Sequence, residues 1–376
     1  MKKVFVVTPA FSGGSWICTE RLITEIARQK VHVFSLGLGT IFHRNKAIKY
    51  FAIPFPRYDK WGFLTSLSSA VALIWNIPLM IFSFVALIVY MPSLVIFNGF
   101  AAGLTIAPFA KLLRIKTVVV YHGYIEKNSN SFVSGVLRFL IRFLDLVVVN
   151  SAGSFDNISS LVNEEKVAIN EHYADEIFFS GTIQRKQADS DKLNILYVGR
   201  LDSEKLCKTL VDIALAERSN KDYTFTFVGV GEYDQQLKQA SEKGKSIKYI
   251  GYVSDRTVLR DNYKNADVVW SCADETYLAL PAVEALACGT PIIIPKYAAL
   301  PSKIEKKILV KSELVPAEIG WLVDPFDFGS VKKLFTEIRK NRLYAKMKDE
   351  CRRYASKKYS RTNLLDTSEK ILKLMR

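Results

Sequence analysis

The 376 residues are 49% hydrophobic, 24% charged and 12% aromatic, and 52 Lys and Arg against 37 Asp and Glu leave a net charge of +15. That length suits two domains of comparable size, at about 100–200 residues each, and the apolar content excludes a disordered chain, a collagen and a small disulfide scaffold. A chain this basic favours anionic partners, with nucleic acid, anionic lipid and phosphorylated small molecules all open at this point.

Met1-Lys2-Lys3 precedes an apolar run of only four residues, Val4–Val7, before Thr8-Pro9. This is shorter than the core of a signal peptide and predicts a first strand over 3–8. A loop with Ser12-Gly13-Gly14, a helical spacing over 19–27 and a strand over 31–36 complete a βαβ unit. From Trp61 to Ala110 there are 50 consecutive residues without a charge, where average usage places about a quarter. Within it, Phe63–Tyr90 is long enough on paper to cross a membrane. Another strand is predicted at 94–97; a crossing would split strands 3–8 and 31–36 from those at 117–121 and 146–149, and Asn76 and Pro78 interrupt its middle. Buried core helices, an apolar face in the headgroup region and a true span are the three readings.

The polar segment Ser180–Lys192 reads as a linker. Beyond it, strands are predicted at 194–198, 224–228, 248–250, 268–271, 291–295 and 321–323. Two doubly wound Rossmann-like α/β domains follow, over 1–180 and 190–358, with ligands expected at the carboxyl ends of the strands, facing a cleft. Residues 1–145 carry 16 Lys and Arg against 5 Asp and Glu, and residues 332–376 carry 15 against 5, whereas 146–331 are acidic, 21 against 27. Five cysteines without a Cys-x-x-Cys pair predict reduced thiols in a cytoplasmic protein rather than a zinc cluster.

Two segments carry chemistry. In Val198-Gly199-Arg200-Leu201-Asp202-Ser203-Glu204-Lys205, a strand ends in a glycine that admits close backbone approach, with a guanidinium and an ammonium able to converge on one diphosphate. In isolation it also fits a solvated loop. In 274–291, a loop after a strand leads to Pro281, which can start a helix whose first-turn amides favour negative charge. Glu284, expected in that first turn, can accept hydrogen bonds from vicinal hydroxyls or simply complement the helix dipole.

Together these segments resemble glycosyltransferase family 4, retaining sugar-nucleotide-dependent enzymes of the GT-B fold. V-G-R-L-D-S-E-K resembles the family's diphosphate-binding segment, L-P-A-V-E-A-L-A-C-G-T-P its glutamate helix, and Glu318–Pro325 its closing strand and turn. Gly13-Gly14 is similar to its glycine loop and Tyr121-His122-Gly123 to its histidine after a central strand. The resemblance implies that Arg200 and Lys205 hold the donor diphosphate and Glu284 the ribose, while the backbone at Gly251 and Val253 meets the base. Gly13 and Gly14 approach the donor phosphate and sugar, His122 positions that sugar, and His172 lies on a loop toward the acceptor. Eight residues before Glu284 the family has a second glutamate; here Thr276 stands there, with Glu275 beside it and Tyr277-Leu278-Ala279-Leu280 following.

The resemblance therefore implies a retaining transferase that needs no metal and no cofactor beyond its UDP- or GDP-linked donor. A glycan or lipid-linked acceptor of cell-surface polysaccharide or glycoconjugate assembly is expected, and the basic first domain with its 50-residue charge-free stretch fits a peripheral enzyme meeting it at an anionic inner membrane face. A last helix, about 360–376, returns to the first domain, which would bring the two basic ends together. A catalytically silent nucleotide-binding relative and a nucleotide-sugar epimerase are the alternatives. The absence of G-x-G-x-x-G and of an acid after strand 31–36 counts against a dehydrogenase. The absence of any zinc-finger, RRM or recognition-helix pattern counts against nucleic acid.

Overall fold

The computed structural model describes residues 2–9, 13–38, 45–53, 77–99, 106–121, 135, 138–181, 192–202, 206–244, 246–273, 277–298 and 309–375. The chain divides into two units, Met1–Glu171 with Thr362–Arg376, and His172–Arg361.

The first unit is a parallel sheet of seven strands: β1 (Lys3–Thr8), β2 (His32–Leu38), β3 (Ile48–Ile53), β4 (Leu94–Asn98), β5 (Lys116–Tyr121), β6 (Leu146–Val149) and β7 (Val167–Ile169). Their order is β3-β2-β1-β4-β5-β6-β7. The central strands are continuous apolar runs because both faces are covered. β3 and β7, at the two edges, were not predicted. β3 alternates exposed and covered residues around Lys49, and β7 is only three residues long, so neither shows such a run.

The helices α1 (Gly13–Arg28), α2 (Ile77–Tyr90), α3 (Ala107–Leu112) and α4 (Ala152–Ser159) precede the second unit. Gly13 and Gly14, expected in a loop, form the first turn of α1. Alternate strand residues point to opposite faces. Phe5 and Val7 share a core with Leu79 and Leu87 of α2, whereas Thr8 faces α1 through a buried chain of hydrogen bonds. There Thr19 Oγ1 donates to Asn98 Oδ1 at 3.0 Å, and Asn98 Nδ2 donates to Thr8 Oγ1 at 3.0 Å. Thus α1 and α2 lie on opposite sides of the sheet. Among the described residues no helix is long and apolar enough to cross a membrane; residues 61–76 and 100–105 of the charge-free stretch lie outside them.

Asp145, at the start of β6, accepts from Lys111 Nζ at 2.5 Å, from the Thr117 amide at 2.9 Å and from Thr117 Oγ1 at 3.0 Å. Burial pushes its carboxyl up, but the Lys111 and Thr117 hydrogen bonds outweigh that and hold it below its ordinary value. A depressed carboxyl stabilises the fold above its unfolded pKa, and the contribution is lost as pH falls through the folded one. Asp145→Asn is therefore expected to be less stable than the wild type at neutral pH and to converge with it in acid. Thermal unfolding followed across that pH range checks this.

The second unit is a parallel sheet of β8 (Leu193–Val198), β9 (Tyr223–Val228), β10 (Ile247–Gly251), β11 (Val268–Trp270), β12 (Ile292–Pro295) and β13 (Gly320–Val323), in the order β10-β9-β8-β11-β12-β13. Each strand lies within one residue of its predicted interval. Its helices are α5 (Glu176–Phe179), α6 (Lys208–Ala216), α7 (Asp234–Lys243), α8 (Arg256–Asn265), α9 (Leu280–Ala287), α10 (Phe328–Asn341) and α11 (Leu343–Lys358). Asp255 starts α8 by accepting from the Thr257 and Val258 amides at 2.7 and 3.3 Å, and Asp327 starts α10 by accepting from the Ser330 amide at 3.0 Å.

The last helix, α12 (Thr362–Leu374), belongs to the first unit and packs on α1. Thr367 Oγ1 donates to the Ile169 carbonyl at 3.0 Å and Lys370 Nζ to that of Val167 at 2.8 Å. Its return corrects the expected charge partition. Of the 15 basic residues in 332–376, 12 precede residue 362 and stay with the second unit. The first unit carries 20 Lys and Arg against 11 Asp and Glu, and the second 32 against 26, so both are basic.

Candidate functional site

In both sheets the strand order reverses between the first strand and the fourth, β1 and β4 in one and β8 and β11 in the other. At such a switch point adjacent connections leave to opposite faces and open a crevice beyond the carboxyl ends of the strands. In the second unit, the segments singled out from sequence flank this point.

On one side, β8 turns at Gly199, whose φ of +149° favours glycine. The Gly199 amide donates to the Val228 carbonyl at 3.0 Å, that of Leu201 to Val230 at 3.1 Å, and that of Gly229 to Gly251 at 2.8 Å. The ends of β8, β9 and β10 are thereby stitched into one rim. The packing is so close that a Cβ on Gly229 would lie 1.8 Å from the Gly199 carbonyl oxygen, and one on Gly231 would lie 2.4 Å from that of Leu201. From beneath, the buried Tyr197 hydroxyl donates to the Arg200 carbonyl at 2.6 Å. The Arg200 side chain is 62% exposed, its guanidinium 3.0 Å from Asp202 Oδ2. An exposed ion pair of this kind contributes little, so an anion can displace Asp202.

On the other side, after β11, the Ala279 amide donates to the Cys272 carbonyl at 3.1 Å and Leu278 bridges Ala273. Leu278 is buried in the core, so only its backbone is offered to a ligand. The Tyr277 ring meets His172 edge-on at 5.5 Å, which brings the expected acceptor-loop histidine to the donor segment. Ala279 precedes α9 without a side-chain cap, Pro281 has no amide hydrogen, and the Ala282 and Val283 amides donate to the Ala279 carbonyl at 2.9 and 3.2 Å, so this end favours an anion through the helix dipole rather than through a set of open amides.

Glu284 is the fifth residue of α9, in its second turn rather than the first, so a role in complementing the helix dipole is weaker than expected. It is buried, and both carboxylate oxygens are engaged. Oε1 accepts from Arg256 Nη2 at 3.0 Å and Oε2 from the Tyr263 hydroxyl at 3.1 Å. The same guanidinium lies 2.5 Å from Asp175 Oδ2 and 4.9 Å over the Phe178 ring. Burial, reinforced by Glu284, pushes the Tyr263 phenol far above its ordinary value, so it remains a donor to the carboxylate. Arg256, Tyr263 and Asp175 were missed from sequence; the available signal was that a buried carboxylate requires a cation and a donor.

Gly251 ends β10 at a φ of +77°, and Val253 is partly buried beside the same core as Leu278. Gly13 and Gly14 begin α1, across the first sheet's switch point from Asn98. His122, Lys205, Glu275 and Thr276 lie outside the described residues.

Residues 179–358 match the family of glycosyl transferases group 1. An uncharacterized 41.2 kDa protein in the cps region of Klebsiella pneumoniae is 27% identical over 187 residues, 50% of this chain and 48% of that protein. The GDP-mannose-dependent alpha-(1-6)-phosphatidylinositol dimannoside mannosyltransferase of Mycobacterium tuberculosis is 27% identical over 143 residues, 38% of this chain and 34% of that protein. The chain thus matches about half the length of the first of these relatives and about a third of the second. The crystal structure of Anabaena Alr3699/HepE with UDP and glucose superposes with a TM-score of 0.71 at 18% identity, over 99% of this chain and 100% of that one. The two-sheet α/β architecture is that of the GT-B glycosyltransferases.

Proposed function

We propose that this chain is a glycosyltransferase that moves a sugar from a UDP- or GDP-linked donor to a glycan or lipid-linked acceptor. The observation that carries the reading is a coincidence of place. The group 1 match falls on the unit whose switch point gathers an exposed Arg200, a glycine rim and the uncapped start of α9. The related mannosyltransferase, which is GDP-mannose-dependent, and the fold neighbour solved with UDP support a nucleotide-linked donor.

In this reading Arg200 and the positive end of the α9 dipole, with Lys205 five residues further along, take the diphosphate and stabilise the charge that grows on it as it leaves. No metal is needed for that neutralisation. Glu284, held in one orientation by Arg256 and Tyr263, presents the remaining lone pairs of its oxygens to the ribose hydroxyls. Gly251 and Val253 offer backbone to the base, and Gly13, Gly14 and His122 keep the sugar-binding roles that the family resemblance implies. The acceptor hydroxyl attacks the anomeric carbon on the face the diphosphate leaves. The new C–O bond forms as the old one breaks, the configuration is retained, and the hydroxyl proton passes to a diphosphate oxygen.

Arg200→Ala is expected to fold normally, since the side chain is exposed, and to lower transfer by about 10²–10³-fold. Calorimetry with UDP- and GDP-sugars, followed by product analysis, tests the reading; donor binding and turnover unchanged by Arg200→Ala would sink it. Thr276 in the place of the family's first glutamate favours one alternative, a relative that binds nucleotide without transferring. Binding with no product would establish that alternative instead.

A further inference from the structure

The helix α2 carries no charge, and one side of it is covered while the other is exposed. Leu79, Ser83, Ala86 and Leu87 are buried against the sheet. Ile77, Ile81, Phe82, Val85, Ile88 and Val89 are between 45% and 69% exposed. With 3.6 residues per turn these six occupy an arc of about 140°, and no polar side chain interrupts it. Leu112 and Phe139 add exposed apolar side chains, and Phe84 stacks on Phe109 of α3 at 4.0 Å, making α2 and α3 one surface. A contiguous apolar face of this kind marks an interaction site rather than ordinary surface.

The charges around it say what the partner is. Lys3 donates to the Tyr90 carbonyl at the last residue of α2, and Lys49 of β3 lies over the Phe34 ring, which packs against Tyr90. Lys111, Arg114 and Lys116 follow on α3, the turn after it and the start of β5. One carboxylate lies among them, Asp145, which pairs with Lys111 at 2.5 Å and more distantly with Lys116 at 3.9 Å, so the five cations keep a net excess of four positive charges. A second copy of this chain on the face would set these cations against their own equivalents, because a two-fold interface brings the same patch to both sides. A bilayer with anionic headgroups satisfies both features, accepting the apolar arc below the phosphates and the cations at them.

We infer that α2 docks the first unit on an anionic lipid surface, its exposed arc entering the headgroup region and Lys3, Lys49, Lys111, Arg114 and Lys116 meeting lipid phosphates. The inference deepens the reading of a lipid-linked acceptor in the preceding subsection, but vesicle binding does not depend on transfer. The experiment is co-sedimentation of the full chain with vesicles of phosphatidylcholine alone or mixed with phosphatidylglycerol. The wild type is expected in the pellet only with the mixed vesicles, and released by salt. The triple variant Ile81→Ser, Val85→Ser, Ile88→Ser is expected to bind at least about tenfold more weakly. Lys49→Ala with Arg114→Ala tests the electrostatic half independently and is expected to weaken binding at low salt alone. A wild type left in the supernatant with both vesicles overturns the inference, as does a triple variant that pellets like the wild type. A wild-type dimer in light scattering that the triple variant abolishes also overturns it, in favour of a second copy. Donor calorimetry on the same samples separates this failure from failure of the proposed function, since α2 holds none of the donor residues.

Discussion

Gly229→Ala is expected to lower the stability of the second unit by more than about 3 kcal/mol, from local strain and from a clash that no side-chain movement relieves. At roughly 2–4 °C per kcal/mol for a unit of this size, the melting temperature falls by about 6–12 °C or more. The added Cβ would sit 1.8 Å from the Gly199 carbonyl oxygen, and the atoms next nearest are also Gly199 backbone. Backbone here is not free to give way, because Gly199 is tied to Val228, and Gly229 to Gly251, through their amides. The φ of +141° at Gly229 adds a strain of about 1–3 kcal/mol for any residue with a side chain. Gly251→Ala provides the comparison within the same rim. Its φ of +77° is also unfavourable, but the nearest atom to its Cβ is the Tyr249 hydroxyl at 4.0 Å, so only strain remains. Thermal unfolding of both variants checks the difference; equal losses would mean that the close approach of the two strand ends contributes nothing. Since the Gly199–Gly229 contact also sets where Arg200 begins, Gly229→Ala is expected to weaken nucleotide binding beyond what Gly251→Ala does.

The second sheet was legible because its strands are short β-branched and aromatic runs closed by glycine or polar residues, as in Leu193–Val198 before Gly199. The edges of the first sheet were not, since β3 and β7 have neighbours on one side only and need no continuous apolar run. Gly13 and Gly14 read as loop because glycine is a poor helix former, yet the burial of Trp16, Leu22, Ile23 and Ile26 carries the helix through them. The site was legible as two segments and illegible as a network. Arg256 and Glu284 are 28 residues apart in the chain, on consecutive helices whose packing no local pattern encodes. The charge-free stretch announced an unusual surface or core, and only the sheet beneath α2 decides which residues are left outside it. A returning last helix was expected to bring the basic C-terminal block near the basic first domain. It is α12 alone that returns, and α12 is nearly neutral.

Arg256→Met should show whether the buried Glu284 is maintained by its cation. Removing one partner of a buried pair leaves the other charge uncompensated, at a cost of about 3–5 kcal/mol in a fully buried setting. Arg256 is 28% exposed against 4% for Glu284, so water reaches the guanidinium and about 2–4 kcal/mol is the expected loss. Glu284→Gln should cost less, because Arg256 keeps Asp175 at 2.5 Å and the Phe178 ring at 4.9 Å, and the amide still accepts from Tyr263. The double variant removes the charge and its partner together and should lose less than the sum of the singles, with a coupling of about 1–3 kcal/mol. Additive losses in thermal unfolding would mean that the Arg256–Glu284 contact contributes no stability of its own. The binding readout separates a structural role from a functional one. If Glu284 meets the ribose, Glu284→Gln weakens a nucleotide-sugar more than it destabilises the fold, since two hydroxyl donors lose a charged acceptor. Arg256→Met then weakens the same ligand through loss of orientation, and Arg256→Lys restores part of the stability while restoring little of the binding, because an ammonium cannot reproduce the planar guanidinium geometry between Asp175 and Glu284.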